Sequence, residues 1–147
     1  MTQNFIFRKA TPDDLPSIVA LLVQDDLGKN RERLEDILDQ RYVDAFKLID
    51  SDPNQFLMVA ESGGEVVGTC HLTIMPSLTF IGSIRMQIEA VRVSYKLRGS
   101  GVGRKMMDEA FSYAKSCGAS IIQLTTNKQR PLAKQFYKKL GFEASHV

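Results

Sequence analysis

The run Val91-Arg-Val-Ser-Tyr-Lys-Leu-Arg98-Gly99-Ser100-Gly101-Val102-Gly103-Arg104-Lys105 constrains the chain more than any other. An apolar β-branched segment breaks into a basic, glycine-rich turn and then into a helical repeat of Val102, Met106, Ala110, Ala114 and Cys117. A strand that feeds directly into a helix demands a layered α/β architecture. The alternate glycines let the backbone take positive φ and come close to a ligand. A helix opening at Gly101 or Val102 would aim amides without helical partners, and the positive end of its dipole, at an anion, most naturally phosphate.

The remaining segments read in order as βααββ(β)αβαβ, a mixed sheet with helices packed on its faces. Residues 4–8 form a short strand, and Thr11-Pro12-Asp13-Asp14 opens a helix carrying Leu15, Ile18, Val19 and Leu22 at helical spacing. A second helix is predicted from about Asn30, with Leu34, Ile37, Leu38, Tyr42, Ala45, Phe46 and Ile49 as its apolar stripe. From Gln55 the period becomes that of strands: residues 56–60 and 66–74 flank a Gly63-Gly64 turn, and a longer strand covers about 82–93. After the helix that ends near Gly118, residues 119–126 read as a buried strand and Pro131 opens a last helix.

At 147 residues, without internal repeat, linker or low-complexity segment, residues 1–147 are expected to form one domain. Nineteen basic against seventeen acidic side chains leave a net charge of +2, too little to argue for nucleic acid. No apolar run approaches the roughly 20 residues of a membrane span. The N-terminus lacks the pattern of a cleaved secretion signal, so a cytoplasmic location is expected. Cys70 and Cys117 match no metal or redox spacing and read as buried free thiols; no metal is expected.

Two phosphate motifs fail on inspection. A dinucleotide fingerprint would need glycine where Arg104 or Met106 stands, and a Walker A loop needs G-K-[ST] where Gly103 is followed by Arg-Lys-Met. What survives is R-x-x-G-x-G at a helix start. Arg98-Gly-Ser-Gly-Val-Gly103, the strand Val91-Arg-Val93 before it, Ile121-Ile-Gln-Leu-Thr-Thr-Asn127, Arg130-Pro-Leu-Ala133 and Phe136-Tyr137-Lys-Lys-Leu-Gly141-Phe142 follow one another in an order that resembles the GCN5-related N-acetyltransferase (GNAT) superfamily. The similarity is clearest over about residues 56–142.

The resemblance implies a single-domain α/β fold with a central mixed, mostly antiparallel sheet, splayed where the pantetheine arm of acetyl-CoA lies. Backbone groups of Val91, Arg92 and Val93 would bond that arm. Arg98, Gly99, Ser100, Gly101, Val102, Gly103 and Arg104 would hold the pyrophosphate, and Asn127 would bond the arm from the next strand. Asn127 reads equally well as a turn former.

Acyl transfer to an amine needs a neutral nucleophile, an oxyanion donor and a proton for the thiolate. Glu89, two residues before Val91, is placed as the base, and partial desolvation would suit it to the role. An ordinary ion pair or a solvated strand position accounts for it equally. The backbone near Val91 would supply the oxyanion donor. Tyr137 matches the family position whose hydroxyl reprotonates sulfur, although its place in a helical stripe is also that of a core residue.

His71 reads as a strand residue rather than a base, and His146 has no visible partner. Asp25-Asp26, in a connection the family uses for the acceptor, reads best as a solvated helix end, and Lys138-Lys139 as a solvated helix face. Direct acetyl transfer from acetyl-CoA to a primary amine of an unidentified small molecule or protein is the leading expectation. A catalytically silent CoA-binding regulatory module is the alternative. A nucleotide-phosphate binder is disfavoured by the missing fingerprints. Family habit also makes a homodimer an expectation. The chain ends five residues after Phe142, where the family generally adds a terminal strand. A shortened chain or a partner's contribution would account for that difference.

Overall fold

The computed structural model describes residues 4–24 and 26–124, together with Lys138 and Gly141. Its elements are β1 (Ile6–Lys9), a 3-10 turn (Pro12–Asp14), α1 (Leu15–Leu22), α2 (Asp26–Arg31), α3 (Gln40–Ser51), β2 (Gln55–Ser62), β3 (Glu65–Pro76), α4 (Thr79–Gly82), β4 (Ile84–Val93), a second 3-10 turn (Tyr95–Leu97), α5 (Val102–Ser116) and β5 (Ala119–Leu124). The strands form one sheet in the order β1-β2-β3-β4-β5. The first four are antiparallel, and β5 joins β4 in parallel. The β4-to-β5 connection is a crossover through α5, as a parallel pair requires.

Each sheet face buries a separate set of side chains. One face carries Met58, Cys70, Leu72, Met86 and Ile88 against Val102, Met106, Met107 and Ala110 of α5. The other carries Val59 against Leu15, Ile18 and Val19 of α1 and Phe46 of α3. The expected mixed sheet with helices on both faces is therefore observed.

The N-terminus of α1 is held by a charge cluster. Asp14 accepts from Arg8 Nη1 at 2.7 Å and Nη2 at 2.9 Å, and its Oδ2 also accepts from the Thr11 amide at 2.7 Å. Arg8 donates in addition to Glu61 on β2 at 2.9 and 3.1 Å. These bonds hold the Asp14 carboxyl down at about 2, chiefly through Arg8.

The second long helix starts later than its stripe suggests. Residues 26–31 form the short α2, and α3 begins only at Gln40, where Asp39 Oδ1 accepts from the Arg41 amide at 2.9 Å and caps it. Leu34 and Ile37, predicted to lie on a buried face, fall in the connection and are 51% and 87% exposed. Tyr42, Phe46 and Ile49 do face the sheet side.

Two features of β4 position the site. First, β5 pairs only with its beginning, from Ile84 to Ile88, so the Glu89-to-Val93 half has no strand neighbour on that side among the described residues. Second, the β3–β4 register slips between Thr69 and His71, opposite Ala90, whose φ is +52°. This bulge inserts one extra residue and reverses the alternation of side chains beyond it. Ile88, Val91 and Val93 consequently pack on the α5 side, while Ala90 lines a cavity on the α1 and α3 side. A non-glycine residue held at positive φ stores backbone strain, roughly 1–3 kcal/mol.

Candidate functional site

After β4, the chain passes through a compact turn into α5. Ser94 donates its amide to Val67 O at 2.8 Å, the Tyr95 amide donates to Gln24 Oε1 at 3.2 Å, and the Ser100 amide closes on Leu97 O at 3.1 Å. The Gln24 bond ties the turn to the end of α1. Gly99 and Gly101 take φ of +83° and +89°, which only glycine adopts without strain, and a Cβ at either would meet nothing within 4 Å. Open space, rather than packing, surrounds the glycines.

Gly101 is the N-cap of α5 and offers no side-chain cap; the first helical bond runs from the Lys105 amide to Gly101 O at 3.1 Å. The amides of Val102, Gly103 and Arg104 thus lie in the helix's uncapped first turn, before that bond, and face outward with the dipole. Arg98 and Arg104 are exposed on either side, whereas the Val102 side chain is buried and anchors the turn to the core. The arrangement is suited to an anion with several oxygen acceptors.

Val91, Arg92 and Val93 lie on the half of β4 that β5 leaves uncovered. The Val91 carbonyl accepts from Arg92 Nη1 at 2.9 Å, so one of its two lone pairs is engaged by the neighbouring side chain. The Glu89 side chain is 49% accessible, so about half of it is covered. Its neighbour is His71 of β3, paired with it in the register, with Nδ1 3.8 Å from Glu89 Oε1. His71 is 16% exposed, and Nε2 lies 2.7 Å from Gln55 Oε1. Burial pushes the imidazole pKa down against a smaller raising effect of Glu89, so the ring is neutral near pH 7.

His71 and Ala90 line an apolar cavity of about 140 Å³ between the sheet, α1 and α3, together with Leu15, Leu22 and Tyr42. A second cavity, about 280 Å³, lies on the opposite face between β1, β2 and α5 and includes Arg8, which Asp14 and Glu61 already engage. Although larger, it contains none of the predicted site residues.

Cys70 is fully buried, and burial pushes its thiol up to about 12, which leaves it inert as a nucleophile. No group of three or more His, Cys, Asp or Glu with metal-binding proximity exists among the described residues. No described helix is long and apolar enough to cross a membrane. Tyr137, Asn127, Asp25, Lys139 and His146 lie outside the described residues, as does the helix predicted from Pro131; Lys138 is exposed. From the sequence His71 reads as an ordinary strand position, and neither Gln55 nor Ala90 is signalled; the meeting of Gln55, His71 and Glu89 across three strands depends on strand register, for which no local motif exists.

A profile of the "Acetyltransferase (GNAT) family" matches residues 19–142. The chain belongs to the GNAT family. It is 32% identical over 140 residues to the aminoalkylphosphonate N-acetyltransferase of Salmonella typhimurium, an alignment covering 95% of this chain and 85% of that one. Among solved structures, it is similar to a protein described as a transcriptional regulator from Bacillus halodurans C-125, with 46% identity, a TM-score of 0.95 and coverage of 98% and 96% of the two chains. A putative acetyltransferase from Agrobacterium tumefaciens superposes with a TM-score of 0.82 at 27% identity, covering 97% and 95%. As a GNAT member the chain is an acetyl-CoA-dependent acyltransferase.

Proposed function

We propose that this GNAT protein transfers the acetyl group of acetyl-CoA directly to the primary amine of an acceptor, a small molecule or a protein amino group, within one domain spanning residues 1–147. The observation that carries the reading is the uncapped N-terminus of α5 at Gly101, immediately following the uncovered half of β4. In this scheme the amides and side chains of residues 98–104 hold the CoA pyrophosphate, and residues 91–93 bond the pantetheine arm as a neighbouring strand would. Asn127 is assigned to the same arm on the family resemblance alone.

Exposed Glu89 meets the acceptor ammonium and takes a proton from it. The amine then attacks the thioester carbonyl, whose developing oxyanion is held by the backbone at Val91. The carbon–sulfur bond breaks and Tyr137 donates a proton to the departing thiolate. The inert thiol of Cys70 supports direct transfer over an acetyl-cysteine intermediate.

The test is release of free thiol from acetyl-CoA on mixing with a panel of amines. (2-Aminoethyl)phosphonate comes first, because the Salmonella relative bears aminoalkylphosphonate in its name. Acceptor-dependent thiol release supports the reading, and its absence across amino acids, aminoglycosides, aminoalkylphosphonates and lysine peptides overturns it. Tyr137→Phe is expected to lower turnover more than CoA affinity. The 46% identical protein described as a transcriptional regulator favours a second reading, a CoA-responsive regulatory module; it would bind CoA without acceptor-dependent thiol release.

A further inference from the structure

A row of polar side chains crosses three strands beneath the apolar cavity and ends at Glu89. Asp52, at the C-cap of α3, accepts from Gln55 Nε2 at 3.0 Å. Since a carboxylate only accepts, the Gln55 amide is oriented with Oε1 away from Asp52, and that oxygen lies 2.7 Å from His71 Nε2. An amide oxygen cannot donate, so His71 Nε2 carries the proton. In the neutral ring Nδ1 is then a bare lone pair, and it faces Glu89 Oε1 at 3.8 Å. These two acceptors lie 3.8 Å apart, an arrangement that is completed by a proton or by an ammonium group.

We propose that His71 is the second half of the base. It receives through Nδ1 the proton that Glu89 takes from the acceptor ammonium, and Asp52 and Gln55 hold it in the tautomer that permits this. The inference rests on the acetyl-transfer reading for its substrate. The balance is simple: R–NH3+ gives one proton to the Glu89–His71 pair and becomes R–NH2; attack forms the N–C bond and breaks C–S. Of the two protons then on nitrogen, one stays in the product amide and the other leaves to replace the proton that Tyr137 gives the thiolate; the proton held by the pair returns to solvent. His71 acts through Glu89 and is a positioning and proton-holding residue.

Among the described residues, the titratable and polar groups around the ring are Glu89 from β4, Gln55 with Asp52 behind it from the start of β2, and Tyr42 from α3, which lines the same cavity and whose hydroxyl is engaged with Glu32 Oε1 at 2.7 Å. The α1 side chains lining the same cavity are Leu15, Ile18, Val19 and Leu22, which cannot titrate. Burial keeps the ring neutral at pH 7 and therefore able to accept.

The chain has two histidines, His71 and His146, so their ring nitrogens can be followed separately by long-range 1H–15N correlation in the intact protein. The neutral His71 ring is expected to be the Nε2–H tautomer, to titrate below an ordinary histidine, and to titrate lower still in Glu89→Gln; Gln55→Leu is expected to raise the Nδ1–H population. A predominant Nδ1–H tautomer in the unaltered protein, or a titration indifferent to Glu89→Gln, would overturn the proposal.

In thiol-release assays with (2-aminoethyl)phosphonate, or whichever amine of the panel reacts, His71→Gln is expected to lower kcat/KM about tenfold or more and to change its pH profile. KM for acetyl-CoA should move less than about twofold. An unchanged pH profile would also refute the role. Failure of the unaltered protein to release thiol with any amine overturns acetyl transfer, and with it His71's role toward an acceptor; the tautomer measurement separately decides whether the paired proton site exists.

Discussion

Replacing Gly101 by alanine separates the two roles of the turn before α5. Gly101 sits at φ +89° with nothing within 4 Å of a built Cβ, so the substitution causes no clash and acts through the backbone alone. An L-residue in the left-handed region costs about 1–2 kcal/mol relative to glycine. Gly63, in the β2–β3 turn at φ +59°, has the same open surroundings and supplies a matched control. Both variants are expected to lose about 1 kcal/mol in urea denaturation.

They should differ in CoA affinity. Relief of strain at Gly101 tilts the uncapped amides that follow it away from a bound pyrophosphate, and a charge-assisted hydrogen bond is worth about 1.5–3 kcal/mol. Calorimetric titration with CoA should therefore show at least about a tenfold weakening for Gly101→Ala and none for Gly63→Ala. Equal affinities in the two variants would refute the assignment of the turn to the pyrophosphate.

Three further outcomes are expected. Asp14→Asn should destabilise the fold by about 1–2 kcal/mol at pH 7: the folded carboxyl at about 2 against an ordinary 3.8 corresponds to about 2 kcal/mol, discounted because Arg8 is 32% exposed. A carboxyl depressed on folding contributes fully above about pH 4 and loses that contribution as the pH falls towards 2. The gap between parent and variant in urea melts should accordingly close over that interval. Glu89→Gln should reduce acceptor-dependent thiol release about 100-fold or more while calorimetric CoA affinity is kept. Leu72→Ala, at a fully buried position on the α5 face, should cost about 2–5 kcal/mol in the same melts.

The period switch at Gln55, the Gly63-Gly64 hairpin and the junction of β4 with α5 are local features, so the strands and the turn were legible from residue spacing. The start of α3 was not. Leu34 and Ile37 continue a helical apolar spacing, yet the Asp39 cap ends the register before it reaches them, and both stand exposed. The bulge at Ala90 carries no glycine to announce it; its strain is held by the packing of Val91 and Val93 beyond it. The His71–Glu89 contact likewise depends on how β3 and β4 are registered through that bulge. Residue spacing therefore pointed to the glycine turn and to Glu89, whereas the proximity of His71 to Glu89 became visible only with the sheet assembled.

The central claim is that the turn before α5 binds CoA through its backbone amides. Backbone 1H–15N spectra recorded during titration with CoA test it most directly. The account predicts that the largest shifts fall on the amides of residues 99–104, with a second group at 91–93. Shifts centred on the cavity formed by Phe7, Phe56 and Tyr113, or none at saturating CoA, would contradict it.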